Sequence, residues 1–524
     1  MRGIVEKYTS QKKGKAYTLF IDFAKAFDSI DREKLFQRIH ELGIHGRILK
    51  VIQMLYSNTQ SCVWTSEGLG RTFSSNMGVR QGDSLSPTLF LIYINELEKE
   101  LREVGRDGIY TTAEGEEIYM LLFADDICIP AESKIALQRK INQVDNFCKR
   151  WDLKINLGKT KVIKHRKGGK IKNSDKWYLG SGPSKQEIAV TNSYKYLGIY
   201  FTTELSMRQA TIQLGLQGTK ALNFVKYLIV KHKYIPFDTA CRLFDALVLP
   251  VLLYGCEIWG YEEHDNIERV QLTFCKFFLG VNKRTSNMAV LGECGRLPLY
   301  ASYHTRCIKY WVEIQEMPAH RYPKQVYTML EQQHKMGRVT WATHIKRLLT
   351  KYDLEHVWET RLIGDKRKLL TQLRTNIENT FMKEWKDKIT NQDRLCIYRD
   401  FKDQFETETY VAHLQDFRLR SALARLRCGS HNLKIETDRG QKHITERQCE
   451  NCKEIEDEYH FTAKCTKYTE QRQKFLDTDQ INTYREYLRL MSTKEVEQVR
   501  KLAWFVFLAN KKQSKELEQT DKQK

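Results

Sequence analysis

Two aspartates side by side, Asp125 and Asp126, end an apolar run, Met120-Leu121-Leu122-Phe123-Ala124, and are followed at once by another, Ile127-Cys128-Ile129-Pro130. Strand-forming runs flanking an acidic turn predict a β-hairpin with two carboxylates at its tip. Like charges held that close repel by roughly 4 kcal/mol at an intermediate dielectric, a penalty that a divalent cation removes. A third carboxylate, Asp22, ends a similar strand, Tyr17-Thr18-Leu19-Phe20-Ile21. Each acid alone is explained by a turn or a helix cap. Three of them meeting on adjacent strands would make a hard-oxygen site suited to Mg²⁺, and the chemistry this suggests is two-metal phosphoryl transfer.

The 524 residues exceed what one core usually supports, so two to four domains are expected. An excess of 86 basic over 65 acidic residues, +21 in net charge, favours a polyanionic partner, most simply nucleic acid. The longest apolar stretch, Ala246 to Cys256, contains Pro250 and falls well short of the ~18 residues of a membrane span, so no membrane partner is expected. Met1 to Lys15 is polar and has no secretory pattern, and the thirteen cysteines are mostly isolated, which suits reduced thiols. An intracellular location, nucleus or cytoplasm, is the expectation.

Residues 1 to about 205 alternate strand and helix patterns. Helices are predicted over Asp31 to Leu42, Gly46 to Tyr56, Ser86 to Leu101 and Lys134 to Trp151. From about Met207 helical periodicity dominates, and the Lys/Gln/Glu-rich end from Lys511 is expected to fray or be disordered.

Phe20-Ile21-Asp22-Phe23-Ala24-Lys25-Ala26-Phe27-Asp28 and Phe123-Ala124-Asp125-Asp126 resemble the first and third palm motifs of reverse transcriptases. Gly78-Val79-Arg80-Gln81-Gly82-Asp83-Ser84-Leu85-Ser86-Pro87 is similar to the second, Asn156-Leu157-Gly158-Lys159-Thr160-Lys161 to the fourth, and Tyr194-Lys195-Tyr196-Leu197-Gly198-Ile199 to the primer grip. The wording is closest to non-LTR retrotransposon polymerases, and the similarity appears again at Tyr254 to Gly260 and Gly292 to Leu299. The resemblance implies an RNA-directed DNA polymerase that attaches a dNTP to a primer 3′-hydroxyl, with RNA template and DNA primer or target as partners. Asp22, Asp125 and Asp126 would hold two Mg²⁺ ions, and Lys159 would protonate the leaving pyrophosphate, with Lys161 as a competitor for that role. Phe27, Gln81 and Gly82 would line the nucleotide pocket, Phe27 excluding a ribose 2′-hydroxyl. Leu197 and Gly198 would place the primer end.

Cys449-x2-Cys452-x7-His460-x4-Cys465 has the spacing of a tetrahedral Zn²⁺ site. It resembles the knuckle that follows the polymerase in non-LTR elements, and so small a module is expected to need one structural zinc to fold. Phe417 to Arg427 reads as a basic amphipathic helix, with Leu419, Leu423 and Leu426 inward and Arg418, Arg420, Arg425 and Arg427 available to phosphates. A second basic run, Lys164 to Lys167 with Lys170 and Lys172, could track a nucleic-acid backbone.

The expected architecture is an α+β right-hand polymerase palm over 1–205, a helical thumb-like region over 206–300, a helical linker domain over 301–440, the zinc knuckle over 441–470 and a helical or disordered tail over 471–524. Only 21 residues precede Asp22, and Lys12, Lys13 and Lys15 supply little of a triphosphate clamp. The fingers are therefore expected to be largely missing, the chain N-terminally truncated and its isolated activity low. A non-catalytic nucleic-acid-binding remnant and a group II intron maturase-like protein are the alternatives.

Overall fold

The Lys15–Ile21 strand is buried at every position after its first, which a strand achieves only when both its faces are covered. In the computed structural model, which describes residues 1–11, 14–103, 105, 108–110, 117–168, 175–233, 235–476, 481 and 483–523, it sits inside a four-stranded sheet. The order across the sheet is Lys161–Arg166, Lys15–Ile21, Asp126–Ala131, Leu121–Phe123, antiparallel throughout. Leu19, Ile21, Ile127 and Ile129 join Tyr93, Val144 and Phe147 in one core, supplied from above by the Ser86–Ile94 and Lys134–Arg150 helices. On the other face Phe20 stacks on Tyr194 with ring centroids 4.4 Å apart and leans on Tyr196 at 5.3 Å. Those tyrosines lie on a hairpin, Ser193–Tyr196 with Ile199–Thr202.

The helix signals in the sequence act locally. The Asp31 carboxylate accepts the N–H groups of Glu33 and Lys34 and starts the Arg32–Glu41 helix, and the Ser133 hydroxyl accepts from Ala136 at the head of Lys134–Arg150. Gly46–Tyr56 forms as expected, whereas the single helix predicted over 86–101 is two, Ser86–Ile94 and Glu96–Glu103. Asn95 between them keeps helical angles, φ −58° and ψ −29°.

Two compact units result, one of residues 1–210 with 313–347, the other of 211–312 with 348–524. The 301–440 segment expected to be a linker domain is thus divided between them. The reason lies at Gly3 on the Arg2–Thr9 helix, where a Cβ would stand 2.5 Å from Val326 Cγ1. Without one, the Tyr322–Lys335 helix closes on the first helix, Val326 packs on buried Ile4, Ile109 and Ile118, and the Ser10 hydroxyl donates to Gln333 at 2.7 Å.

The second unit is helical. Lys366–Thr390 buries Leu369, Leu373, Ile377, Phe381, Trp385 and Ile389, a stripe at every fourth residue. Val496–Gln523 is one helix, and Val499, Leu502, Ala503, Val506 and Ala509 are buried on it, against Phe417–Arg427 and Thr469–Phe475. Among the described residues no helix is long and apolar enough to cross a membrane.

Candidate active site and metal centre

Phe123 pairs with Asp126, so the acidic hairpin closes on a two-residue loop, Ala124-Asp125. Ala124 has φ 52°, a left-handed conformation that costs an L-residue roughly 1–2 kcal/mol. Asp125 alone is therefore at the tip, and Asp126 opens the returning strand, in place of the two tip carboxylates expected. Ile21 pairs with Ile127. One step further along each strand Asp22 comes beside Asp126, on the face that carries Phe20 and Cys128. The Asp126 carboxyl is held above its ordinary value by partial desolvation, then by the charges on Asp125 and Asp22.

Asp22 is fixed from four directions. Its carbonyl accepts the Asn156 N–H at 2.8 Å, its carboxylate accepts the Asn156 side-chain amide at 3.0 Å, and its own N–H donates to Thr160 Oγ1 at 3.2 Å. Lys159 Nζ, on an exposed side chain, lies 3.5 Å from the other carboxylate oxygen. Asn156 and Thr160 carry no charge and were not singled out in the sequence, although both stand in the segment that supplies Lys159. The carboxylates of Asp22, Asp125 and Asp126 offer only hard oxygen donors, which suit a divalent cation such as Mg²⁺.

Phe27 is half-buried, its ring 5.1 Å from that of Phe90, and its carbonyl accepts the Val79 N–H. Core packing is thus part of its role. The Gln81 amide donates to both carboxylate oxygens of Asp28, at 3.0 and 3.2 Å, which brings Phe27, Gln81 and Gly82 onto adjoining turns. Gly82 has φ +85° with open space around it. Arg32, unremarked in the sequence, ties the chain before this turn by donating to the carbonyls of Ser75, Met77 and Gly78. Leu197 and Gly198, with φ 46° and 81°, are the two-residue turn between Tyr196 and Ile199, a type I′ hairpin.

The ligand atoms of Cys449, Cys452, His460 and Cys465 all lie within 4.8 Å of one another. Cys465 Sγ is 3.8 Å from Cys449 Sγ and 3.9 Å from Cys452 Sγ. Thiolates about 2.3 Å from a tetrahedral metal stand about 3.8 Å apart. His460 Nε2 is buried with no hydrogen-bond partner among the described residues, while Nδ1 meets Glu454 at 3.3 Å. That is the arrangement of a ligating imidazole braced by a carboxylate behind it. The segment is built into the helical unit. Phe461 packs on Tyr468 and on Phe505 of the last helix, and Arg472 donates to the carbonyls of Thr462 and Cys465.

The basic helix departs most from expectation. Phe417–Arg427 forms, capped by Asp416, but Arg420 and Arg427 are buried. Arg420 donates to the carbonyls of Phe278 and Leu414, and Arg427 pairs with Glu293 and Glu408. Neither is available to phosphate, because the Phe278 and Leu414 carbonyls hold Arg420 inward and Glu293 and Glu408 hold Arg427. Arg418 and Arg425 are exposed, the first paired with Asp416 and the second donating to the Gly280 carbonyl. In the other basic run Lys164 is buried against Asp175, and His165 is buried between Thr18 and Thr202. Lys12, Lys13, Lys170 and Lys172 lie outside the described residues.

Residues 1–201 match the family described as reverse transcriptase (RNA-dependent DNA polymerase). The chain is 25% identical over 191 residues to a Pol polyprotein from retrotransposable element R2 of Nasonia vitripennis, covering 36% of this chain and 18% of that protein. It is 29% identical over 212 residues to the R2DM polyprotein of Drosophila melanogaster, covering 38% of this chain and 19% of that protein. With the probable RNA-directed DNA polymerase from transposon X-element of Drosophila melanogaster the identity is 21% over 308 residues, covering 53% of this chain and 30% of that protein. The chain thus spans less than a third of the length of these relatives. A solved structure of apo telomerase from Candida tropicalis aligns over 71% of this chain and 55% of that one, with TM-score 0.30 and 13% identity, too loose a likeness to bear on the fold. The family match covers the sheet that carries Asp22, Asp125 and Asp126, and over residues 1–201 the chain is similar to the reverse transcriptases of retrotransposable elements.

Proposed function

We propose that the domain over 1–201 copies an RNA template into DNA, adding dNTPs to a primer 3′-hydroxyl, and that Cys449, Cys452, His460 and Cys465 hold one structural Zn²⁺. The observation that carries the first half is that Asp22, Asp125 and Asp126 lie together at one end of the central sheet, with Asp126 held above its ordinary value by partial desolvation and then by the other two. These three side chains would hold two Mg²⁺ ions. The ions, when bound, supply activation of the 3′-hydroxyl and neutralisation of the pyrophosphate charge. Asn156 orients the Asp22 carboxylate, and Lys159, 3.5 Å from it, would give a proton to the departing pyrophosphate. Phe27, packed on Phe90, would stand where a ribose 2′-hydroxyl would clash. Gln81 and Gly82 would face the nucleotide, and the Leu197-Gly198 turn would guide the primer end.

The test is extension of a DNA primer annealed to RNA by the full chain with dNTPs and Mg²⁺. Asp22→Ala and Asp125→Ala should each lower the rate at least about 100-fold, the scale of removing one preorganised electrostatic group. Hydroxyl-radical cleavage directed by Fe²⁺ in place of Mg²⁺ reports metal binding without turnover. Cuts near residues 22 and 125 should appear in the wild type and fade in both variants. Extension that survives Asp125→Ala undiminished would overturn the assignment.

A further inference from the structure

In the second unit two cavities, of about 800 and 650 Å³, share Phe277 and Phe417 as a common wall. Lys226, Arg269, Lys276 and Lys283 line the larger, and Lys233 and Arg418 the smaller. Three acids face them. The Glu268 carboxylate is occupied by the N–H groups of Leu299 and Tyr300, at 2.8 and 2.7 Å, and burial lifts it to about 7. Asp416 is paired with Arg418, and Asp265 remains. Among the described residues Lys276 donates to neutral acceptors, the Lys283 carbonyl and the Asn287 side chain, at 2.8 and 2.7 Å. Lys226 lies 5.2 Å over the Phe277 ring. Desolvation lowers the affinity of both lysines for protons, and for Lys226 the charge on Lys283 lowers it further, a strain that an arriving anion relieves.

Phe417 is 49% exposed although it heads a helix whose other apolar residues are buried. Gly280 lets it sit there, since a Cβ at that position would stand 2.8 Å from the Phe417 ring. We propose that this basic, aromatic-walled groove binds single-stranded nucleic acid, with phosphates on Lys226, Arg269 and Lys283 and an unstacked base against Phe417. A cationic groove interleaved with aromatic rings is what a flexible strand requires, because its phosphates are closely spaced and its bases expose their faces. A duplex keeps those faces stacked and gains nothing from Phe417.

The groove belongs to the second unit and the inference stands apart from the polymerase reading, so Asp125→Ala is expected to leave this binding unchanged. The experiment follows fluorescence anisotropy of a labelled oligo(U) strand with the full chain over a range of salt concentrations. Arg269 and Lys283 are exposed, so Arg269→Glu with Lys283→Glu should fold, as the melting curve will show. Two lost phosphate contacts should flatten the plot of log affinity against log salt by about 1.4, at about 0.7 per contact for single strands. Phe417→Ala should weaken binding about 10-fold with little change in that slope, and Phe417→Trp should restore it. The proposal fails if the double variant binds as the wild type does, if Phe417→Ala is neutral, or if a blunt RNA duplex competes as well as the single strand.

Discussion

Arg427 and Arg418 lie on one helix and behave oppositely. Arg427 is buried, with Nε 2.7 Å from a Glu293 oxygen and a terminal nitrogen 3.0 Å from Glu408. Its side chain also donates to the Met491 carbonyl. Arg418 reaches Asp416 in solvent. Removing one member of a buried pair strands the other charge, so Arg427→Ala should cost about 3–5 kcal/mol, whereas Arg418→Ala should cost less than about 1 kcal/mol. Urea unfolding of the two variants side by side checks this, and equal stability would contradict the buried network. The helix itself could not announce the difference. Arg420 and Arg427 are seven residues apart, two turns along one face, and an amphipathic pattern with leucines already assigned inward makes four arginines look alike. The acid that claims Arg427 stands 134 residues away in sequence. Asp22, Asp125 and Asp126 were legible for the opposite reason, since each stands beside an apolar run that reveals it.

At the scale of elements, backbone conformation separates two glycines of one turn. Gly78 and Gly82 both have positive φ, +81° and +85°. A Cβ on Gly78 would lie 2.8 Å from the backbone of Asp28, while one on Gly82 would meet open space. Gly82→Ala should therefore cost only the left-handed penalty, about 1–2 kcal/mol. Gly78→Ala should cost distinctly more, because the turn carrying Phe27 and Asp28 would have to move, and the difference should appear as a lower melting temperature for Gly78→Ala than for Gly82→Ala. Caps at Asp31 and Ser133 were readable because a capping side chain serves an N–H two or three residues away. The interruption at Asn95 was not, since the sequence there carries an unbroken helical stripe and Asn95 retains helical angles.

At the scale of the whole molecule, the Cys/His segment is a brace for a helical unit, not a freestanding knuckle. Phe461 against Phe505 and Arg472 against the Thr462 and Cys465 carbonyls carry its order into the Val496–Gln523 helix. One zinc per chain is expected by elemental analysis. Its removal by a chelator, or Cys452→Ser, should lower the melting temperature and raise amide exchange in the last helix as well as around 449–465. Exchange confined to the loop would show that the packing does not transmit the metal's effect. The sequence alone specified the three acids and the strands that present them, the Cys-Cys-His-Cys spacing and the switch from mixed to helical structure, because each is written in the identity and period of residues close together in the chain. Only the tertiary structure decided that 313–347 joins the first unit, that two of the four arginines are internal, that Asn156 and Thr160 hold Asp22, and that Phe277 and Phe417 wall a basic groove. Those outcomes depend on which distant surfaces bury one another, and a charge or an aromatic ring carries no local mark of the partner that will take it from water.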